Sequence, residues 1–378
     1  MKIAIMGSLA RSLVNFRGPL LRRLKDGGHD VVAIAGEEDA SVASELAAWG
    51  IEFQAVPFVR RGQNPVADWR LAGRLARSLK AIRPDVWMAY TIKPVIFGGW
   101  AAVRAGVPHR VALMTGGGAA FNPGGWKRRL LRIAVERLYR SALAGYHKTI
   151  FQNPDDLQEF VSLGLARRER TVRVWGTGVD LSEFAPAPLP TDAPRFLLIA
   201  RLLREKGIRE FSEAAAIVRQ SHPDAVAQIL GPFDPGPSGI VPEELNACLR
   251  ETGVEYLGSA SDVRPFLQQA NVFVLPSYYR EGAPRSIQEA MALGRPIITT
   301  DVPGCRETVV EGVNGFKTPP RSAPSLARAM LELAASAEVR EHMGRESRRL
   351  ACERFDVDRI NDEMIRQLIP ADAERAAA

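Results

Sequence analysis

The stretch VFVLPSYYREGAPRSIQEAMALGRPIITT, residues 272–300, decides the fold class of this chain. Its first four residues form a short apolar run that predicts a buried strand. A helix is expected to follow between Pro284 and Gly294, because proline suits the first helical position and glycine suits a left-handed helix end. A second apolar run, Ile297 to Thr300, completes a strand–helix–strand unit, which indicates an α/β fold.

Strand-like runs of this kind occur in two sets. The first set comprises residues 2–6, 31–35, 86–89 and 110–114, and the second comprises residues 196–200, 225–230, 255–257, 272–275 and 297–300. The segment between them, residues 184–194, is rich in proline, which resists both helix and strand. We therefore predict two doubly wound, Rossmann-like domains, residues 1–185 and 186–354, followed by a terminal helix over residues 355–370.

Two glutamates, Glu281 and Glu289, lie eight residues apart in the loop and helix of the 272–300 unit. Ligands of open α/β sheets bind at the carboxyl ends of the strands, where a helix start also offers free N–H groups to an anion. A nucleotide sugar fits such a site, with its diphosphate on the helix start, its sugar hydroxyls on Glu281 and its ribose diol on Glu289. The alternative is that both glutamates are ordinary solvated charges.

Two cations follow the predicted strand at residues 196–200. Arg201 falls where the strand ends and Lys206 lies just before the next helix, so both can point to the same edge of the sheet as Glu281. Two fixed cations there would hold a diphosphate and stabilise the charge that grows on it when the bond to a sugar breaks. Taken alone, basic residues in such a loop are more often surface charges.

Together these residues resemble a known family. Arg201 and Lys206-Gly207, followed by Glu281 and Glu289 in the 276–296 motif, are similar to the GT4 family of retaining glycosyltransferases. The likeness covers roughly residues 1–370. Within the family it is greatest to enzymes that extend lipid-linked sugars, of the undecaprenyl diphosphate-linked N-acetylgalactosaminyltransferase type, in bacterial surface glycan or N-glycan assembly.

The resemblance implies properties that spacing alone does not. It implies the GT-B architecture, in which an acceptor-binding domain and a donor-binding domain face each other across a cleft and the terminal helix crosses back onto the first domain. It also implies transfer with retention from a UDP-sugar, with an N-acetylhexosamine favoured. By position, the implied site residues are Arg201 and Lys206 for the donor diphosphate, Glu281 for the donor sugar, Glu289 for the ribose, and the main chain of Gly282, Ala283 and Pro284 for the sugar pocket. Arg201, Lys206 and Glu281 are the implied catalytic residues.

The charge is distributed unevenly along the chain. Residues 1–170 hold 26 Lys and Arg against 14 Asp and Glu, whereas the remainder holds 24 against 29. Residues 126–140 alternate apolar and basic faces at helical spacing, and such a helix can lie on an anionic membrane surface, each nearby cation contributing about 1 kcal/mol. The candidate contacts are Lys127, Arg128, Arg129 and Arg132, with a second basic helix at residues 70–83. The alternative is that these helices only pack their apolar stripes and solvate the rest.

Nucleic acid is the other partner that a sequence pI near 9.5 suggests. The sequence contains no helix-turn-helix, RNP-like or zinc-knuckle pattern, and its aromatic residues are not interleaved with the basic clusters. We therefore expect no nucleic-acid partner.

Two glycine segments of the first half are candidates for the acceptor side of the cleft. Residues 15–19, which include Arg17 and Gly18, are expected to form a loop after the first strand. Residues 115–118, with Thr115, Gly116 and Gly117, end another strand, where glycines permit close approach of a ligand; a flexible turn is the alternative.

The G-x-G-x-x-G spacing is missing after the first strand, which argues against a dinucleotide-dependent dehydrogenase. No histidine can be assigned to the cleft position that many GT4 members fill, so the acceptor-side catalytic residue stays open.

The sequence lacks the patterns of a metal site, a secretory signal and a membrane-spanning helix. The three cysteines are widely spaced and the Asp-x-Asp at residues 356–358 lies beside the terminal helix, so we expect neither a metal nor another cofactor. We also expect neither a secretory signal nor a membrane-spanning helix.

The prediction is a glycosyltransferase, cytoplasmic and peripheral on the inner face of the cell membrane, that moves a sugar from a UDP-sugar to a lipid-linked saccharide. The alternatives are a UDP-sugar 2-epimerase of the same architecture and a non-catalytic nucleotide-sugar-binding protein.

Overall fold

The chain forms two compact units in a computed structural model, which describes residues 1–60, 64–117, 121 and 125–370. Unit 1 consists of Met1–Thr177 and Val357–Ala378, and unit 2 consists of Gly178–Asp356. Gly118 and the side chains of Lys127 and Arg128 lie outside the described residues. Each unit is a parallel sheet with helices on its faces, so the predicted α/β class with two doubly wound domains is confirmed.

Unit 1 contains a seven-stranded sheet. Its strands are β1 (Lys2–Met6), β2 (Asp30–Ala35), β3 (Glu52–Ala55), β4 (Val86–Tyr90), β5 (His109–Met114), β6 (Lys148–Phe151) and β7 (Thr171–Arg173). Their order across the sheet is β3-β2-β1-β4-β5-β6-β7, with all pairs parallel. The helices are α1 (Ala10–Asp26), α2 (Ala40–Ala48), α3 (Pro65–Ile82), α4 (Gly99–Ala105, after a π-helical turn at Pro94–Gly98), α5 (Trp126–Leu143) and α6 (Pro154–Ser162).

Unit 2 contains a six-stranded sheet. Its strands are β8 (Arg195–Ile199), β9 (Val226–Leu230), β10 (Glu255–Tyr256), β11 (Val272–Leu275), β12 (Ile297–Thr300) and β13 (Gly315–Thr318), in the order β10-β9-β8-β11-β12-β13. The helices are α7 (Ile208–Ser221), α8 (Pro242–Thr252), α9 (Arg264–Gln269), α10 (Arg285–Ala292), α11 (Ala323–Ala335) and α12 (Ala337–Arg354). The strand order reverses at β8, and this topological switch point is where ligands bind in open α/β sheets.

The last helix, α13 (Val357–Leu368), belongs to unit 1. Its buried residues Ile360, Met364 and Leu368 recur every four positions and join the core on the α1 and α2 face of the sheet. Arg23 of α1 also binds two of its carboxylates, Asp358 at 2.8 Å and Asp362 at 2.5 Å. The apolar stripe explains why the chain returns to unit 1, since alone this face would stay exposed to water.

The boundary between the units differs from the predicted one. The structure divides the chain after Thr177, whereas the sequence predicted a division after residue 185. The proline-rich segment is fastened to unit 2 through three of its carbonyls. Arg348 Nη1 donates to Phe184 O at 2.9 Å, Arg295 Nη1 to Pro188 O at 3.1 Å, and Asn271 Nδ2 to Pro190 O at 2.8 Å. Prolines exclude helix and strand, but their carbonyls still accept hydrogen bonds, so the segment is a bound part of unit 2.

Candidate functional site

Two chain segments of unit 2 meet at the carboxyl edge of its sheet. Residues 200–206 follow β8, and residues 276–284 follow β11. The two strands are parallel neighbours, with Val272 opposite Phe196 and Phe273 opposite Leu197. The segments therefore leave the sheet side by side, although they are far apart in the sequence.

Lys206 and Glu281 form an ion pair at this edge. The Nζ of Lys206 lies 2.5 Å from Oε1 of Glu281, and the two side chains are only 11% and 16% exposed. The ammonium also lies 5.9 Å from the centre of the Tyr279 ring. Because the pair is largely removed from water, its charges act on their surroundings with little screening.

Ser277 is a further partner of Glu281. Its hydroxyl, fully buried, lies 3.0 Å from the same Oε1 and 3.2 Å from the carbonyl of Glu205. A serine hydroxyl has a single hydrogen, so it donates to one of these two oxygens at a time. It also accepts a hydrogen bond from the N–H of Tyr279 at 3.2 Å. The Glu281 loop and the Lys206 segment are thus connected by a shared hydroxyl as well as by the ion pair.

Two glycines permit the close approach of these loops. Gly207 has a φ of +74°, and a Cβ there would lie 2.3 Å from the carbonyl oxygen of Pro276. Gly304 has a φ of +87°, and a Cβ there would lie 2.4 Å from the carbonyl oxygen of Glu281. A side chain at Gly207 would separate the two segments, and one at Gly304 would displace the main chain of Glu281.

Arg201 pairs with a carboxylate that sequence reasoning missed. Its Nη1 lies 2.6 Å from Oδ2 of Asp234, whose side chain is 4% exposed, while that of Arg201 is 49% exposed. Asp234 lies in the loop after β9, the neighbour of β8 on its other side. The only signal in the sequence is an Asp-Pro-Gly turn at residues 234–236, which is common in loops of every function.

Glu289 lies in the second turn of α10 and pairs with Arg285 at 2.8 Å. Burial raises the pKa of Glu289 above its ordinary value, and the charge of Arg285 opposes that rise. Pro284 is the N-cap residue of α10, one position before the helix begins, whereas the sequence predicted it at the first helical position, and Gly282 is buried in the loop before it. Gln288 Nε2 donates to the carbonyl of Ala283 at 3.2 Å, which fixes the last turn of this loop.

The predicted loop at residues 15–19 is wrong. These residues lie inside α1, which runs through Gly18 and Pro19. Arg17 is 4% exposed, with its guanidinium 5.0 Å from the centre of the Tyr90 ring, and Gly18 packs against Trp49. The interpretation failed because glycine and proline were taken as loop formers, whereas Gly18 serves close packing and the helix accommodates Pro19. Arg17 and Gly18 are therefore not loop residues.

Thr115, Gly116 and Gly117 follow β5 without regular secondary structure. Gly116 has a φ of +119°, which a residue with a Cβ rarely adopts. Their proposed place beside an acceptor stays a prediction.

The predicted membrane-contact residues have different environments. Arg129 is exposed on α5. Arg132 is instead bound at 2.7 Å by Glu136 and at 2.9 Å by Glu159, and its guanidinium lies 5.2 Å from the centre of the Phe121 ring. Arg132 is thus paired within the molecule, and its contact with a membrane stays a prediction.

Other arginines of unit 1 also serve its structure. Arg110, Arg140 and Arg170 all donate to main-chain carbonyls at the carboxyl ends of helices. The acceptors are Gly145 O for Arg110, Gly164 and Leu163 O for Arg140, and Ala144 and Tyr146 O for Arg170. Cations at this end of a helix are favoured by the helix dipole. Part of the positive charge in the first half therefore has a structural explanation.

Two family models match the chain in consecutive segments. Residues 17–175 match the Glycosyl transferase 4-like domain, and residues 181–350 match Glycosyl transferases group 1. The chain belongs to the GT4 family of glycosyltransferases. The division between the two matched segments, at residues 175–181, falls close to the structural boundary after Thr177.

Curated relatives of this GT4 chain include enzymes named for lipid-linked acceptors. It is 29% identical over 358 residues, 91% of this chain and 92% of the relative, to an N,N'-diacetylbacillosaminyl-diphospho-undecaprenol alpha-1,3-N-acetylgalactosaminyltransferase of Campylobacter jejuni. It is 28% identical over 274 residues, 69% of each chain, to a UDP-Gal:alpha-D-GlcNAc-diphosphoundecaprenol alpha-1,3-galactosyltransferase of Escherichia coli.

Solved structures place the GT4 chain in the GT-B fold. The Anabaena Alr3699/HepE protein, crystallised with UDP and glucose, superposes with a TM-score of 0.77 at 19% identity and covers 97% of this chain and 99% of its own. A glycosyltransferase of Rickettsia africae gives the same TM-score at 18% identity, covering 97% of both chains. Across the described ranges, none of the helices has the length and hydrophobicity needed to cross a bilayer.

Proposed function

We propose that this GT4 chain is a retaining glycosyltransferase that moves a sugar, with an N-acetylhexosamine favoured, from a UDP-sugar to a lipid-linked saccharide in bacterial polysaccharide or glycoprotein assembly. The observation that carries the proposal is the largely buried Lys206–Glu281 pair at the carboxyl edge of the unit 2 sheet, with Arg201 in the same segment as Lys206. The names of the Campylobacter and Escherichia relatives support the donor and acceptor classes.

The donor diphosphate is the ligand of the two cations. Lys206 brings a compact charge from the start of α7, and Arg201 brings a guanidinium from the end of β8. A guanidinium suits the paired oxygens of a phosphate, and an ammonium acts on them as a point charge. Both are in place before the bond to the sugar breaks, so they stabilise the developing charge without reorganising.

The carboxylates bind the two ends of the donor. Glu281 accepts hydrogen bonds from hydroxyls of the donor sugar, with its orientation set by Lys206 and Ser277. Glu289 accepts from the ribose diol, and the main chain of residues 282–284 lines the sugar pocket at the start of α10. The sugar thus lies between a fixed carboxylate and a helix start that favours the phosphate.

The chemical step exchanges two bonds at the anomeric carbon. The bond to the diphosphate oxygen breaks, and a bond to the acceptor hydroxyl oxygen forms on the same face of the sugar, which retains the configuration. The proton of the acceptor hydroxyl passes to the departing diphosphate oxygen. Lys206 and Arg201 neutralise the diphosphate in place of a metal.

The acceptor's lipid brings the protein to the inner face of the cytoplasmic membrane, where unit 1 contacts the anionic surface. Its α3 and α5 both begin at the carboxyl edge of the sheet and pack on the same core face. Their first two turns carry exposed apolar side chains: Val66 (58%), Trp69 (67%), Trp126 (70%) and Leu130 (59%). Arg129 is exposed beside the last two. Exposed tryptophans beside a cation favour the interface between water and lipid.

A single incubation tests the proposal. Purified protein is mixed with UDP-N-acetylgalactosamine and undecaprenyl diphosphate-linked diacetylbacillosamine, and the products are analysed by mass spectrometry and by the anomeric proton coupling. We expect an acceptor extended by one α-linked sugar, together with UDP. A β-linked product would contradict retention. Conversion of the UDP-sugar without any acceptor would instead identify an epimerase. Tight UDP-sugar binding without turnover across a panel of donors and lipid-linked acceptors would identify a binding protein.

A further inference from the structure

The loop after β9, residues 231–240, lies against the segment that carries Arg201 and Lys206. Three main-chain hydrogen bonds join them: Leu202 N–H to Pro232 O at 2.9 Å, Arg204 N–H to Ser238 O at 3.0 Å, and Ile240 N–H to Leu202 O at 3.0 Å. The hydroxyl of Ser238 also donates to Oε1 of Glu205 at 2.7 Å. The loop therefore has a fixed position relative to the two cations, and the proposed reaction gives it no role so far.

Asp234 is the charged residue that this loop presents to Arg201. Its Oδ2 accepts from Arg201 Nη1 at 2.6 Å, and its Oδ1 accepts from the N–H of Gly236 at 2.8 Å. With one oxygen on its own turn and the other on the arginine, the carboxylate has a fixed rotation. Only 4% of its side chain is exposed, whereas 49% of the Arg201 side chain is. The rigid partner in this pair is the aspartate.

We infer that Asp234 is a positioning residue, which sets the orientation in which Arg201 meets the diphosphate of the donor. This inference rests on the proposed function, because it assumes that Arg201 binds the diphosphate. A half-exposed arginine samples many rotamers, and ordering such a side chain on binding weakens affinity. A buried carboxylate on one Nη orders the side chain beforehand and fixes the plane of the guanidinium, which has five donors in a rigid fork.

The sign of the effect separates positioning from simple charge compensation. Asp234 is an anion close to the cation that binds an anion. If Asp234 only reduced the positive charge of the site, its removal would tighten the binding of UDP. If it positions Arg201, its removal weakens that binding, because the arginine must then be ordered at the expense of affinity.

The experiment measures UDP binding by isothermal titration calorimetry, with GDP and ADP as alternative diphosphates. It compares the wild type with Asp234→Asn, Arg201→Ala and the double variant. Asparagine keeps the shape and the acceptor for Gly236 N–H, but it removes the charge that holds Arg201. We expect Asp234→Asn to weaken UDP binding about 10-fold, the scale of a hydrogen bond to a charged group. Arg201→Ala and the double variant should bind UDP equally.

Unchanged or tighter binding by Asp234→Asn would overturn the inference. So would an equal loss on adding Asp234→Asn to Arg201→Ala, since Asp234 would then act independently of the arginine. If Asp234→Asn does not fold, Asp234→Ser supplies the same comparison, because a serine hydroxyl can also accept from Gly236 N–H. The matched control is Asp192→Asn, which breaks the surface pair with Arg195, 2.9 Å long, in the same unit and should leave UDP binding unchanged.

The inference and the proposed function fail differently. A wild-type protein that binds none of the three nucleotide diphosphates contradicts the proposed function, and the inference falls with it. If the wild type binds UDP and Asp234→Asn binds it equally tightly, only the inference is contradicted.

Discussion

The Nζ of Lys206 lies 2.5 Å from Oε1 of Glu281, although 75 residues separate the two in the sequence. The contact exists because β8 and β11 are parallel neighbours, so that the loops after them leave the sheet together. It joins the residue proposed for the diphosphate to the residue proposed for the sugar, the two groups whose bond breaks in the reaction. A change at either residue should therefore alter the environment of the other.

Replacement of Lys206 by alanine should lower turnover by about 10² to 10³, the scale of one lost electrostatic donor. The loss should fall mainly on kcat, because the charge on the diphosphate is greatest when the bond breaks. Steady-state rates with saturating donor measure it. Arg209→Ala, which removes a cation that is 83% exposed on α7, is the matched control and should turn over normally. A Lys206→Ala enzyme with wild-type turnover would remove this lysine from the mechanism.

Replacement of Ser277 by alanine should lower kcat/KM about 10-fold, because a hydrogen bond to a charged carboxylate contributes roughly 1.5 to 3 kcal/mol. The hydroxyl lies 3.0 Å from Oε1 of Glu281, and alanine removes this contact while the ion pair with Lys206 stays in place. Ser277→Thr restores a hydroxyl and tests whether the oxygen itself matters. Ser221→Ala, at the end of α7 in the same unit, controls for the loss of a hydroxyl elsewhere. Full activity in Ser277→Ala would show that Glu281 is positioned without this hydroxyl.

Replacement of Glu289 by glutamine should separate stability from donor binding. Burial raises the pKa of Glu289 above its ordinary value of 4.5, so the folded chain binds this proton more tightly than the unfolded chain. Any stability from this linkage is therefore present below pH 4.5 and lost as the pH rises through the raised pKa. Glutamine does not ionise.

At pH 7.5, Glu289→Gln should unfold no earlier than the wild type and yet bind UDP about 10-fold more weakly, because the ribose diol loses a charged acceptor. Calorimetric unfolding and UDP titration give the two quantities. If Glu289→Gln both unfolds earlier than the wild type and binds UDP more weakly, Glu289 has a structural role through its pair with Arg285.

Arg129→Glu should weaken binding to anionic vesicles about 30-fold, since each charge near the surface contributes about 1 kcal/mol and the substitution changes the charge by two units. Co-sedimentation with vesicles of phosphatidylglycerol and phosphatidylcholine measures the effect, and UDP binding should be unchanged. Arg104→Glu makes the same change at the carboxyl end of α4, at the opposite edge of the sheet, and should have no effect. Equal binding of Arg129→Glu and wild type would remove α5 from the membrane surface.

Activity should persist in a chelator, because the proposed mechanism neutralises the diphosphate with Lys206 and Arg201. Rates with excess EDTA, compared with rates after addition of magnesium, test this. Complete loss in the chelator, restored by magnesium, would show that the leaving group needs a cation beyond these two side chains.

Several parts of the fold could be predicted because their signals are local. Residues 2–6, 272–275 and 297–300 were predicted as strands with their observed bounds, since each is a buried apolar run. Four strands were missed: Glu52–Ala55, Lys148–Phe151, Thr171–Arg173 and Gly315–Thr318. They have three or four residues each, and all four carry polar residues that blur the apolar pattern.

The sequence by itself determined the α/β class, the two sets of strands and the candidate cations and carboxylates. Periodicity, helix termination and family motifs depend on residues that are close together in the sequence. Only the tertiary structure decided which charges meet. Arg201 pairs with Asp234 and Lys206 with Glu281 because β8 has β9 on one side and β11 on the other. Arg17 was wrongly placed for the same reason, since the packing of α1 against its neighbours, more than the local Gly-Pro pair, determines that it is helical and buried. Strand order and helix packing depend on contacts between distant residues, which no local pattern specifies.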